Sequence, residues 1–244
     1  MVVLAAASAS AAVPMAASPA PERDGPGARV LVFTATRGWR HDSIGQAVET
    51  LRGLAGEAGL RFAHTEDPAR FTAAELARYR AVVFANTTGD VLDEAQQAAL
   101  QQFVRAGGGF MGVHSAADTE HGWPWYGELV GAWFESHPPG LQTARVRFVD
   151  PPGAADGTWR VTDEFYNFKR DPRDRVRLIA TLASGDYEGG TMGVDHPIAW
   201  CREFDGGRSW YTGLGHAPGL YADPVFRAHL ARGLRYAAGA DDDC

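Results

Sequence analysis

One stretch of the chain constrains the fold more than any other, the segment GGGFMGVHSAADT from Gly107 to Thr119. Its three successive glycines are suited to ending a helix, because glycine adopts the left-handed dihedrals found at helix termini. The apolar run at 109–113 that follows is typical of a strand buried on both faces. The segment therefore predicts a helix end, a central strand and a polar turn in direct succession.

His114 follows this strand immediately. In open α/β sheets the ligand crevice lies outside the carboxyl ends of the strands, and a sharp turn there can raise one side chain toward it. Such a turn needs small residues two positions before and two after the raised one, and Gly112 and Ala116 meet that need. We predict that His114 is raised into a ligand crevice, where a histidine can act as a base, an acid or a metal ligand.

Other apolar runs alternate with helical patterns in the first half of the chain. Strands are predicted at 29–34, 61–65 and 81–85, and helices follow the first and third of these. Alternation of this kind predicts an α/β fold with a doubly wound, mostly parallel sheet and right-handed crossovers. The continuous apolar runs 29–34, 81–85 and 109–113 are predicted to be adjacent or near-adjacent central strands of this sheet.

The second half has a different pattern, because its strands are joined by loops without long helices. It is predicted to be strand-rich and partly antiparallel, with strands at 144–149, 159–162, 176–181, 198–204 and 209–212. A last helix begins after Asp223, its predicted N-cap, and ends at Gly239.

Composition excludes several classes of function. The net charge is −7 with no basic run, which argues against binding nucleic acid or an anionic membrane surface. The glycines form neither a G-x-G-x-x-G pattern nor a P-loop, so no nucleotide cofactor is predicted. No membrane span is predicted beyond the apolar first residues.

Residues 1–21 are rich in Ala, Ser, Val and Pro and resemble the apolar region of a signal peptide that lacks a basic start. Export to the periplasm or outside the cell is therefore predicted, the alternatives being a misplaced start codon or a low-complexity tail. The expected organisation is a leader and linker at 1–28, one domain at 29–240 and a tail at 241–244. The only two cysteines, Cys201 and Cys244, are predicted to pair in an oxidising compartment, with two free thiols as the alternative.

Five of the eight histidines lie in predicted loops: His41, His114, His137, His196 and His216. His41 follows the first strand, His114 the central strand, and His216 closes a glycine-rich turn after a later strand. If these ends converge, three imidazoles face one crevice, enough for a divalent metal or for acid–base chemistry. We predict a site shared by His114 and His216, with His41 as a third candidate metal ligand. The alternative is that each histidine stabilises its own loop.

Carboxylates and aromatic residues complete the candidate site. Asp118 lies just after the turn, and Glu164, beside Phe165 and Tyr166, is the better candidate for an acid–base carboxyl group, although a loop-capping role stays open. Trp39, Trp123, Trp125 and Tyr126 are predicted near the crevice mouth, where aromatic faces suit a sugar ring.

Several ordered motifs together resemble the ThuA-like family, named for trehalose utilisation. They are RHDSI at 40–44, GVHSAADT at 112–119, WPWY at 123–126, DEFY at 163–166, DHPIAW at 195–200 and GLGH at 213–216. The resemblance implies a flavodoxin-like sheet of the class I glutamine amidotransferase type and a role in bacterial metabolism of trehalose-like or 3-keto glycosides. From the residues themselves we predict His114, His216 and Glu164 as catalytic residues. The predicted substrate-binding residues are Arg40, His41, Asp118, Trp123, Trp125, Tyr126 and His196.

Glutamine hydrolysis is excluded, because amidotransferases of that fold carry a cysteine where this chain has His114. One hypothesis is an enzyme, a lyase, hydrolase or isomerase that acts on a modified sugar by histidine and glutamate acid–base chemistry, with or without a divalent metal. The other is a carbohydrate-binding module of a larger exported protein, which the acidic tail at 241–244 could join to another domain.

Overall fold

A computed structural model describes residues 27–149 and 157–244, so residues 1–26 of the predicted leader and linker at 1–28 lie outside the described residues. The helices are α1 (Ile44–Glu57), α2 (Ala73–Leu76), α3 (Glu94–Arg105), α4 (Pro124–Val130) and α5 (Pro224–Ala237). The strands are β1 (Arg29–Phe33), β2 (Arg61–Thr65), β3 (Ala81–Ala85), β4 (Gly109–Val113), β5 (Phe134–Ser136), β6 (Gln142–Phe148), β7 (Thr158–Asp163), β8 (Asn167–Phe168), β9 (Arg177–Ala183), β10 (Asp195–Phe204) and β11 (Gly207–Thr212).

Nine of the described strands form one sheet in the order β2-β1-β3-β4-β11-β10-β9-β6-β7. The pairs from β2 to β11 are parallel and the pairs from β11 to β7 are antiparallel. The adjacency of β1, β3 and β4 at the centre is confirmed, as is the antiparallel second half. The fold is therefore α/β, with the parallel strands contributed mainly by the first half of the chain.

Helices cover both faces of the parallel strands. Apolar side chains of α1 and α5 form one buried cluster with one face of the sheet, and those of α2, α3 and α4 form another with the opposite face. Continuous apolar strands such as β3 and β4 follow from this arrangement, because each of their faces meets a helix layer.

Side-chain caps begin two of the longer helices. Asp93 forms a capping box at the start of α3, and Asp223, the predicted N-cap of the last helix, accepts hydrogen bonds from two backbone amides at the start of α5. Ser43 precedes α1 but makes no capping bond. Its hydroxyl instead donates to the carbonyl of Gly215, 3.0 Å away, so it links α1 to the turn after β11.

The antiparallel half of the sheet curves toward the ends of the parallel strands. Trp159 of β7 stacks against Phe226 of α5, with ring centroids 6.3 Å apart. The last residue of β7, Asp163, accepts a hydrogen bond from the backbone amide of Gly215, 2.7 Å away. The edge strand β7 thus lies close to the turn after β11, which is a central strand of the sheet.

The two cysteines are joined in a disulfide, with Cα atoms 6.4 Å apart. Cys201 lies on β10 and Cys244 in the C-terminal tail, so the bond fixes the tail against the sheet. Among the helices of residues 27–149 and 157–244, none has the length and apolar composition that a membrane crossing requires.

His229 of α5 is buried among Phe148, Trp210 and Phe226, and neither ring nitrogen has a hydrogen-bond partner within the described residues. Burial lowers the pKa of this imidazole from 6.5 to about 3. Below pH 6.5 His229 therefore takes up a proton in the unfolded chain but not in the folded chain. The stability that the folded protein has above this pH is lost as the pH falls.

We expect His229→Leu to reduce this acid sensitivity. Between pH 7 and pH 5 the wild type should lose roughly 2 kcal/mol more free energy of unfolding than the variant, because one protonation is coupled to unfolding. Urea unfolding of both proteins at the two pH values measures the difference. Equal losses would show that His229 is not the group concerned.

Candidate active site

A pocket of about 530 Å³ opens beside the carboxyl ends of the parallel strands. This volume lies within the range typical of small-molecule sites. Its lining combines aromatic side chains with imidazoles and carboxylates: Trp39, His41, Asp42, Asp118, Phe134, His137, Glu164, Tyr166, His216 and Pro218. His114 lies in direct contact with several of these residues, beneath the surface of the pocket.

His114 occupies the predicted sharp turn after β4. Its φ angle is +50°, a left-handed conformation that non-glycine residues rarely adopt. The small residues beside it are required, since a Cβ on Gly112 would lie 2.9 Å from the Tyr211 ring and 3.2 Å from the Ala116 methyl group. The side chain is fully buried, however, and not raised into solvent. The hydroxyl of Tyr211 stabilises the turn further by donating to the His114 carbonyl.

The tautomer of His114 follows from its backbone partner. Its Nδ1 lies 2.8 Å from the carbonyl oxygen of Gly213, which can only accept, so Nδ1 carries the proton. Nε2 therefore presents a lone pair, and it has no hydrogen-bond partner within the described residues. Burial, followed by the neighbouring His41, lowers the pKa of His114 well below 6.5. The imidazole is thus neutral near pH 7, with its acceptor atom directed at the site.

His216 is held by the turn that precedes it. Gly215 adopts a φ of +127°, and a Cβ there would lie 2.8 Å from the Tyr221 hydroxyl. The buried carboxylate of Asp163 accepts from the amides on both sides of His216, those of Gly215 at 2.7 Å and Ala217 at 2.8 Å. Burial raises the pKa of Asp163 to about 6. Asp163 is therefore a positioning residue for His216.

His41 reaches the same place from the loop after β1. Its Nδ1 lies 3.3 Å from the hydroxyl of Ser115, the residue after His114. Its ring contacts those of His114 and His216 edge-on, with centroids 4.8 and 5.1 Å away. Burial, followed by the charge of His216, lowers the pKa of His41 to about 4, so this imidazole is also neutral.

Glu164 follows β7 directly and lies among three imidazoles. Its Oε1 is 3.6 Å from Nε2 of His114 and 3.3 Å from Nδ1 of His216, and its Oε2 is 3.2 Å from Nδ1 of His137. The carboxylate raises the pKa of His216 above 6.5. The ring centroids of His114 and His216 are 5.3 Å apart. The two imidazoles differ in protonation, since His114 is a hydrogen-bond acceptor at Nε2 and His216 holds a proton more readily.

The predicted convergence of His41, His114, Glu164 and His216 is thus found in the structure. One nitrogen or oxygen from each of the four residues lies within 4.8 Å of the others. Groups whose surroundings shift their pKa values apart suit proton transfer, and imidazoles with a carboxylate also suit a divalent metal. The arrangement supports both kinds of chemistry.

Aromatic residues form the wall and the mouth of the pocket. Tyr166 stacks on His114 with ring centroids 4.3 Å apart, and Phe134 packs against Tyr166 at the same distance. Phe134 begins β5 and Tyr166 directly precedes β8, and these two strands form a small sheet that the sequence did not predict. Trp39 is 73% exposed at the mouth, so its indole face is free to contact a ligand.

Other predicted site residues lie elsewhere. Tyr126 is buried in the core, where its hydroxyl donates to the Ala116 carbonyl, and the indole N–H of Trp125 donates to Asp205 at 2.7 Å. Trp123 stacks on Trp125. The expectation that Trp123 or Trp125 lies on the pocket wall is wrong, because neither residue lines the pocket and Trp125 packs against Phe204 beside the β10–β11 turn.

Three further residues lie around the pocket. Asp118 lines it, as predicted, and pairs with His121 at 2.8 Å. Arg40 lies in a neighbouring cavity, where it pairs with Glu66 at 2.7 Å. His196 is buried behind the pocket and contacts the Tyr166 carbonyl through Nε2 at 2.8 Å. It supports the pocket wall from behind.

His137, Phe134 and Tyr166 line the pocket but were not predicted as site residues. His137 was already noted as a loop histidine. Tyr166 lies in the same DEFY motif as Glu164, so its place in that motif could have indicated a site residue. No pattern distinguished Phe134, because β5 and β8 are too short to show a periodicity.

These features define an α/β protein with a histidine- and carboxylate-lined pocket at the carboxyl ends of its parallel strands. The chain belongs to the ThuA family, described as trehalose utilisation, whose sequence model matches residues 29–237. No curated protein matches the sequence.

Solved structures with the same fold include two ThuA-like proteins. The one from Bacteroides uniformis has a TM-score of 0.70 and 20% identity, over 91% of this chain and 95% of that one. The one from Parabacteroides merdae has a TM-score of 0.71 and 20% identity, over 88% and 91%. A β-galactosidase from Bacillus circulans matches with a TM-score of 0.56 and 15% identity, over 87% of this chain but 31% of the enzyme.

Proposed function

We propose that this protein is a carbohydrate-active enzyme that acts on a glycoside oxidised at C3, with His114 and His216 at the reacting centre and Glu164 as their acid–base partner. The observation that carries the proposal is the convergence of a proton-accepting and a proton-holding imidazole on one buried carboxylate. Membership of a trehalose-utilisation family supports a sugar substrate.

The chemistry of such a substrate fits these groups. A ketone at C3 acidifies the C2 proton, which Glu164, beside the acceptor atom of His114, can remove to give an enolate. The enolate then reforms the ketone, a double bond forms between C1 and C2, and the C1–oxygen bond breaks. The departing oxygen takes a proton from His216. Later addition of water to the double bond would complete a hydrolysis, and no step needs a covalent nucleophile.

Trp39 is proposed to hold the sugar ring, because its exposed face lies at the mouth of a pocket with a polar interior. We expect Trp39→Ala to raise KM roughly tenfold with little change in kcat, since a stacking contact of about 1–1.5 kcal/mol would be lost from ground state and transition state alike. Trp125→Ala removes an indole outside the pocket and should leave KM unchanged. Steady-state kinetics of both variants tests the assignment, which an unchanged KM for Trp39→Ala would contradict.

The strand order supports a finer description of the fold. The parallel strands β2-β1-β3-β4-β11 follow the 2-1-3-4-5 order of flavodoxin-like sheets, if β11 is counted as the fifth. We propose this class for the parallel half. Export is likewise proposed, on the apolar leader and the cysteine pair.

Incubation with trehalose and with its 3-keto form tests the function directly. Turnover of the keto form alone is expected, with loss of the C2 proton to the solvent in each turnover. Equal turnover of both sugars, or a product that retains the original C2 proton when the reaction runs in deuterated water, would contradict proton removal beside a ketone.

A carbohydrate-binding module is the second candidate. It is favoured by the β-galactosidase neighbour, in which this fold matches about a third of the chain. Under this proposal the pocket would bind sugar without converting it, and calorimetry would detect binding of both the oxidised and the unoxidised glycoside with no product formed.

A further inference from the structure

We propose that His41, His114 and His216 bind one divalent transition-metal ion, with Glu164 beside it. The site goes beyond the proposed function, because it requires only the positions of these side chains and no assumption about the substrate. The three imidazoles come from loops after β1, β4 and β11, so neighbouring parallel strands bring them together.

The distances suit one ion. Nitrogen ligands lie about 2.0–2.1 Å from zinc, so two ligands of a tetrahedral site are roughly 3.3 Å apart. One nitrogen from each of the three imidazoles lies within 4.8 Å of the others, and the three ring centroids are 4.8, 5.1 and 5.3 Å apart. Small side-chain movements would therefore bring the three imidazoles around a common centre.

Neighbouring groups also orient the three histidines. Donation from Nδ1 of His114 to the Gly213 carbonyl leaves the lone pair of Nε2 toward the group. Ser115 contacts Nδ1 of His41, and Asp163 fixes the turn that carries His216. Partners of this kind orient metal-binding histidines in known sites.

A buried imidazole without hydrogen bonds is not by itself a metal site, as His229 demonstrates. Both of its nitrogens also lack partners in the described part of the chain, but aromatic rings surround it. Nε2 of His114, in contrast, faces two further imidazoles and a carboxylate. Three imidazoles favour zinc, cobalt, nickel or iron over magnesium, calcium and manganese, which prefer oxygen ligands.

The ion would change the role of His216 in the proposed reaction. A cation would displace the proton of His216, so in the metal-bound protein the ion, and not a protonated imidazole, would supply the positive charge beside Glu164. Three histidines with an open position also leave Glu164 available as a proton acceptor.

The experiment uses protein prepared without a histidine tag. Metal is removed with a chelator, and zinc, cobalt and nickel chlorides are titrated separately by calorimetry. One equivalent of at least one ion should bind, cobalt should give visible absorption bands, and the melting temperature should rise with the bound ion. If none of the three ions binds, the proposal fails.

Variants separate the site from adventitious binding. His41→Ala and His114→Asn should weaken metal affinity by more than about 100-fold. Glu164→Gln changes a group beside the ion and should weaken affinity by about tenfold, the lower end of the roughly 10–100-fold range for such groups. His64→Ala, which removes an imidazole bonded to Thr34 outside the group, should keep the wild-type affinity. Equal binding by His41→Ala and wild type would overturn the site. Glu164→Gln protein that binds the ion but lacks turnover would separate this inference from the proposed function.

Discussion

His114→Asn is expected to lower turnover of a 3-keto glycoside by roughly a hundredfold or more, the scale of a lost acid–base group. Asparagine tolerates the positive φ of this position, and its amide nitrogen can replace Nδ1 as the donor to the Gly213 carbonyl. The variant therefore keeps the turn and deletes Nε2, the atom that faces Glu164. Steady-state kinetics and urea unfolding of the variant measure the two effects.

The stability change should be at most about 2 kcal/mol, from the lost stacking on Tyr166 and a small cavity. His114→Ala is a less selective probe, because it removes the Gly213 hydrogen bond as well. If His114→Asn retains more than about a tenth of the turnover, His114 does not lie at the reacting centre. If the protein is a binding module, the variant would instead weaken sugar affinity.

The central strands could be predicted because local composition decides them. Residues 81–85 and 109–113 are apolar throughout, and only a strand covered on both faces suits such runs. The β5–β8 pair could not be predicted, since a strand of two or three residues has no periodicity. Ser43 carries an ordinary capping signal, but its hydroxyl donates to Gly215, a partner distant in sequence.

In the candidate site, too, the features set by local sequence could be predicted and those set by distant residues could not. The turn at His114 was predictable because Gly112 and Ala116 mark it locally, and the convergence of His41 and His114 follows from the geometry of parallel strands. The burial of His114 was not predictable, because Tyr166, which covers it, comes from a loop far along the chain. The tryptophans of α4 were misplaced for a related reason, since aromatic composition does not indicate which face of a short helix meets the core.

Glu164→Gln is expected to lower the pKa of His216 and to reduce turnover by roughly 10²–10⁴-fold. In the folded protein the Glu164 carboxylate is the main cause that raises this pKa above 6.5. Glutamine is close in size but neutral, so the cationic form of His216 loses its partner and the remaining effect of burial favours the neutral form. His216 should then lose its proton at lower pH than in the wild type.

The prediction also fixes the direction in which turnover changes with pH. If protonated His216 donates to the departing oxygen, wild-type turnover falls as pH rises through its raised pKa, and in Glu164→Gln the residual activity should fall at lower pH. NMR titration of the imidazole ring protons in metal-free protein measures the pKa directly, with His216→Gln to assign the signal. An unchanged pKa of His216 would mean that Glu164 does not control it, and turnover that rises with pH over the same range would exclude His216 as the proton donor. If the variant lowers the pKa of His216 but leaves turnover unchanged, Glu164 contacts His216 electrostatically but takes no part in the chemical step.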